Sequence, residues 1–100
     1  MTRALIYSRQ AQGDLDEIFD FIAADNPRRA RSYIEEIRQT CRGLCDAPLI
    51  GTARPDLQRD LRIMPFRRRL VIAYRVLPRQ IEILRVFTGG RDYETILGSN

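Results

Sequence analysis

Near Asp60 the apolar residues of this chain stop recurring at helical spacing and begin to alternate, so the helices lie upstream of that point and the main run of strands after it. Upstream, Ala11, Leu15, Ile18 and Ile22 recur at intervals of four, three and four, and Phe19 widens the stripe. Ala30, Ile34, Ile37, Cys41 and Leu44 repeat the pattern. Each stripe is the buried face of an amphipathic helix. Asp14, Asp16, Glu17 and Asp20 fall on the opposite face of the first helix. Ser8 is placed to cap the first helix, and Asn26-Pro27 is a cap followed by a proline at the first helical position, where its missing amide costs nothing. Helices are therefore expected over 9–25 and 27–46. Their short connection folds them into an antiparallel hairpin, and Pro48 closes the second.

A short strand is expected over 3–7. Downstream, Leu61 and Ile63 alternate with Arg62 and Met64, and Pro65-Phe66 reads as a turn. Strands over 60–64, 68–77 and 81–88 follow, with Pro78-Arg79-Gln80 as a three-residue hairpin loop and a tail over 91–100. The fold class is α+β in one domain, residues 1–100: an N-terminal strand and a helix hairpin on one face of a mainly antiparallel three- to four-stranded sheet.

A three-residue loop sets Leu77 opposite Ile81. One face of the last hairpin then holds Leu70, Ile72, Tyr74, Val76, Leu84 and Val86, which the helices would cover. The other holds Arg69, Val71, Ala73, Arg75, Ile83, Arg85 and Phe87. Arg62 joins that second face if Leu61 and Ile63 point to the core. A solvated face would do without Val71, Ile83 and Phe87, so this mixed face reads as a partner surface. The competing arrangement is that the tail covers it.

All seventeen basic residues are arginine; lysine and histidine are absent. Arginine keeps its proton at neutral pH and grips carboxylates and phosphates through a planar fork of donors. The usual neutral-pH proton shuttle is therefore missing. Residues 1–50 hold seven arginines and eight acids, whereas residues 51–100 hold ten and five. That balance points to an acidic protein segment or a nucleic acid as partner class. Cys41 and Cys45 share one helix face and, with no histidine or third cysteine, cannot complete a metal shell. They read as core. No metal or cofactor is expected, and no apolar run approaches the ~20 residues of a membrane span. The N-terminus lacks a signal-peptide pattern, so the expected location is cytoplasmic.

In this order and spacing the residues resemble the ParE branch of the ParE/RelE superfamily of toxins. The resemblance rests on Ala11 with Asp14-Leu15-Asp16-Glu17-Ile18, on Asp25-Asn26-Pro27 followed by Ala30, and on Leu44, Pro48 and Gly51. It continues through Leu61-Arg62, Pro65-Phe66-Arg67-Arg68, Val71-Ile72, Tyr74-Arg75-Val76, Ile83-Leu84-Arg85-Val86, Gly89 and Arg91-Asp92. It implies a type II toxin that poisons DNA gyrase and is neutralised, in a hetero-oligomer, by a ParD-like ribbon-helix-helix antitoxin. No DNA-sequence recognition by the chain itself is expected. Thr88 stands where many relatives carry histidine. The RelE-type alternative, a ribosome-dependent mRNA endonuclease, would have only Tyr74, Tyr93, Glu82 and Glu94 as proton carriers. The reading is therefore a binder without catalytic residues, contacting antitoxin or target through Arg62, Arg69, Arg75, Arg85, Phe87 and Arg91. Reversing Arg85 to glutamate is expected to abolish toxicity and spare the fold.

Overall fold

The computed structural model describes residues 3–89 and 91–98; Gly90 and positions 99 and 100 of the expected tail lie outside them. Ser8 separates the first strand, β1 (Ala4–Tyr7), from the first helix, α1 (Arg9–Ala23). Its hydroxyl accepts the Ala11 amide at 3.0 Å and donates to the Leu84 carbonyl at 2.7 Å, so one side chain caps the helix and ties it to the sheet. Asn26 caps α2 (Pro27–Gly43) by accepting the Arg29 amide at 3.0 Å. Both helices end two to three residues before the expected 25 and 46. Asn26, preceding a proline, leaves the helical region. Beyond Gly43 the amides of Leu44, Cys45 and Asp46 bond three residues back rather than four, tightening the last turn.

The strands are β2 (Thr52–Ala53), β3 (Leu61–Phe66), β4 (Leu70–Val76) and β5 (Gln80–Thr88), followed by α3 (Tyr93–Gly98). They form one sheet in the order β1-β5-β4-β3-β2, with β1 parallel to β5 and the other pairs antiparallel. The α+β class is as expected. The two-residue β2 is an addition, too short to leave a period.

Pro65-Phe66 is not a turn. Pro65 sits in β3 opposite Val71, where β2 no longer pairs with β3, so its missing amide leaves no ladder bond broken. Phe66 is buried edge-on against Tyr33, ring centroids 5.9 Å apart. The chain reverses one residue later, through Arg67 and Arg68 at φ 52° and 59°.

The expected register holds only in part. Ala73 pairs with Arg85 and Leu70 with Thr88, as a three-residue loop requires, but Tyr74 pairs with Ile83 and Val76 with Ile81. A bulge between Ala73 and Tyr74 leaves Leu84 as the extra residue and exchanges the faces of Ile83 and Leu84. Ile83 thus joins the core under the helices, with Leu15, Ile37, Ile72, Tyr74 and Val86. Leu84 goes to the other side.

That other side is not bare. Leu61, Ile63, Ala73 and Phe87 form a second apolar cluster with Leu97 of α3, flanked by Leu57, Leu84 and Ile96. The expectation of an open, arginine-bearing sheet face is therefore overturned, because the chain's own tail supplies the apolar cover that Phe87, Leu61 and Ile63 require. Asp92 caps this tail helix: its carboxylate accepts the Thr95 amide and, at 2.6 Å, the Thr95 hydroxyl.

Candidate binding groove

A concavity lies on the helix side, between α1, the first turns of α2 and the ends of β4 and β5, with a volume of about 610 Å³. Its floor is apolar: Ile18, Phe21 and Ile22 from α1, Tyr33 from α2, Leu70 and Val86 from the sheet. Phe21 is 83% exposed, far outside the range of a core aromatic. Arg29, Arg69 and Arg91 line the same groove, with Asp14 and Glu17 along α1.

Asp14 is not a solvent-facing acid. It lies three residues after Ala11 and four before Ile18, at the edge of the buried stripe, and its side chain is 11% exposed. Its carboxylate takes Arg85 Nε at 2.8 Å and Nη2 at 3.0 Å, and also accepts the Val86 amide at 2.8 Å. That amide belongs to the part of β5 beyond the reach of β1, so the carboxylate completes an otherwise open edge. Asp14 holds the Arg85 guanidinium protonated well above its usual range.

The six expected contact residues are divided by this architecture. Arg69 and Arg91 meet on the groove. Arg85 and Arg91 both stand over the Phe87 ring, 4.8 and 5.8 Å from its centroid, while Phe87 is buried toward α3 with Tyr93 at 6.2 Å. Arg75 is paired across strands with Glu82 at 2.8 Å. Arg62 is on the wrong face for the expected surface: Leu61 and Ile63 point to the tail-side cluster, which turns Arg62 to the side of its pairing partner Tyr74. There its Nη1 donates to the carbonyls of Leu49 and Gly51 at 3.2 and 2.6 Å. Of the six, only Arg69 and Arg91 are exposed cations without a carboxylate partner among the described residues.

Three of the four residues of the RelE-type alternative are engaged in the same way, while the fourth, Tyr93, packs its ring against Phe87. Tyr74 is fully buried; its hydroxyl donates to the Pro48 carbonyl at 2.8 Å and accepts the Gly51 amide at 2.9 Å, and burial raises its pKa. Glu82 holds Arg75, and Glu94 holds Arg54 at 2.7 Å.

Sequence reasoning passed over Phe21, Tyr33 and Arg29. Phe21 had a signal: it follows Ile18 by three, on the rim of the stripe rather than opposite it, where an aromatic is half-presented to solvent. Arg29 and Tyr33 had none, because the groove is made by elements distant in sequence.

Residues 5–93 match the model of a family described as "ParE toxin of type II toxin-antitoxin system, parDE". A solved structure titled "Chromosomal ParDE TA system from P. aeruginosa" is 26% identical, covers 87% of this chain and 96% of its own, and superposes with a TM-score of 0.72. A conserved hypothetical protein from Helicobacter pylori, HP0894, is 14% identical over 91% of this chain and 98% of its own, with a TM-score of 0.48. No curated protein sequence matches the chain.

Proposed function

This chain belongs to the ParE toxin family of type II toxin–antitoxin systems, and from that premise we propose that it acts by binding DNA gyrase, without chemistry of its own. In this reading it works in the cytoplasm. A ParD-like antitoxin with a ribbon-helix-helix DNA-binding half silences it by laying an acidic and apolar segment in the groove. The observation that carries the antitoxin part is the groove itself, an apolar floor that includes exposed Phe21 and is bordered by Arg69 and Arg91, with Arg29 beside it already paired to Glu36. A disordered segment gains most from such a surface, burying apolar side chains on the floor while its carboxylates meet guanidinium groups at the border. Partly desolvated pairs of that kind contribute about 1.5–3 kcal/mol each.

A non-catalytic mode of action is supported by the state of the polar residues. The chain has no histidine, and Tyr74, Glu82, Glu94 and Arg85 are each engaged in holding the fold.

One preparation tests the proposal. Gyrase supercoiling and cleavage of ribosome-bound mRNA are assayed with the same purified protein, alone and with the antitoxin C-terminal segment added. Gyrase inhibition that the segment relieves, with transcripts left whole, is the expected result. Cut transcripts with unimpeded gyrase would overturn it.

A further inference from the structure

Outside the groove floor, the turn between β3 and β4 is strongly charged. Arg67, Arg68 and Arg69 occupy it, all exposed. Arg67 and Arg68 have φ of 52° and 59°, the left-handed region where a side chain with a Cβ is disfavoured by about 1–2 kcal/mol. Asparagine or glycine would sit there with less strain, so two consecutive arginines are a costly choice for a turn.

The turn is also held in place. Arg67 Nη1 lies 2.6 Å from Glu36 Oε1, an ionic contact not aligned as a hydrogen bond, and its guanidinium covers the Phe66 ring at 5.2 Å. The Arg69 amide donates to the Phe66 carbonyl at 3.0 Å. Arg68 and Arg69 have no carboxylate partner within the described residues, and Arg69 shares the groove mouth with Arg91. Of the two acids that line the groove, Asp14 is consumed by Arg85, which leaves Glu17.

We propose that the Arg67–Arg69 turn, together with Arg91, is a sequence-independent contact for the phosphate backbone of double-stranded DNA. Shape decides between this partner and an acidic peptide. Arg67 and Arg68 lie outside the lining of the groove, and the residues that flank the turn, Phe66 and Leu70, are buried, so this end of the turn offers a peptide nothing to bury. The groove beside it has the apolar floor that a peptide needs. Exposed charges on a turn fixed by a backbone hydrogen bond and an ion pair suit regularly spaced phosphates, which guanidinium groups grip through paired donors. The proposal does not depend on gyrase being the target.

The test is fluorescence anisotropy of a labelled mixed-sequence duplex of about 20 base pairs with the toxin chain alone, over a range of salt. About three phosphate contacts give a slope of log affinity against log salt near −3. Arg68→Asn with Arg69→Gln should weaken binding at least about tenfold at low salt and flatten the slope by about two. Asparagine suits the left-handed backbone at position 68, so an unchanged or higher melting temperature certifies that the variant is folded. Arg79→Gln, an exposed arginine in the β4–β5 loop, should leave both readings unchanged. Absence of salt-dependent binding, an equal loss in Arg79→Gln, or tighter binding of single-stranded RNA or polyglutamate through the same two arginines would each overturn the proposal. Gyrase is absent from the assay, so a negative result leaves the target reading standing, and failed gyrase inhibition leaves this contact standing.

Discussion

Asp14 on α1 and Arg85 on β5 are joined by two hydrogen bonds, at 2.8 and 3.0 Å, across 71 residues of sequence. The pair ties α1 to β5 rather than offering a cation to a partner, since the two side chains are 11% and 18% exposed.

Arg85→Glu is therefore expected to damage the fold, contrary to what the sequence suggests. It would set a third carboxylate beside Asp14 and Glu17 and strand the Asp14 charge. Asp14→Ala removes the pair and the acceptor of the Val86 amide, at a cost of about 2–3 kcal/mol. Urea unfolding measures both. An Arg85→Glu protein as stable as wild type would show that the pair contributes nothing.

Leu97 of α3 is buried against Phe87 and Leu61, and the Gln58 amide donates to its carbonyl at 2.9 Å. Leu97→Ala should cost about 2 kcal/mol and loosen the tail, seen as faster proteolytic cleavage within residues 91–96. Ending the chain after Thr88 should expose the second cluster and give aggregates in size-exclusion chromatography. A soluble, monomeric truncation would mean that this face is able to stay open.

Gly51 has no room for a side chain. A Cβ there would lie 2.6 Å from the Tyr74 hydroxyl oxygen and 3.0 Å from the Ile63 carbonyl. Gly51→Ala should cost about 1–3 kcal/mol by overpacking, and Tyr74→Phe about 1–2 kcal/mol by orphaning the Pro48 carbonyl and the Gly51 amide. Because Tyr74→Phe removes the nearest clashing atom, the double variant should be less destabilised than the sum of the two. Strict additivity in thermal unfolding would contradict this geometry.

Burial pushes the Tyr7 hydroxyl up to about 12 and the Cys41 thiol up to about 11, and it raises Cys45 as well. The folded chain holds the Tyr7 proton more tightly than the unfolded chain does. This contribution to stability is thus complete below pH about 10 and declines as pH rises from there towards 12. The urea midpoint should fall more steeply between pH about 10 and 12 in wild type than in Tyr7→Phe. For the same reason both thiols should react slowly with a disulfide reagent near neutral pH until the chain is unfolded. Rapid labelling of the native chain would place them at the surface.

The sequence by itself determined the parts whose causes are local. Spacing of apolar residues set both helices, Ser8 and Asn26 set their starts through side-chain bonds to nearby amides, and alternation set the three long strands. Tertiary structure decided what depends on two distant segments meeting. The bulge at Leu84 exchanged the faces of Ile83 and Leu84, because strand pleating repeats every two residues and one extra residue inverts the faces on one side of it. Six residues of tail covered the sheet that alternation alone left open, and packing turned Asp14 from an outward acid into the partner of Arg85. Charge can be read from composition, but whether a guanidinium is free for a partner is settled only by which carboxylates the fold brings within reach, and that left Arg69 and Arg91 at the groove.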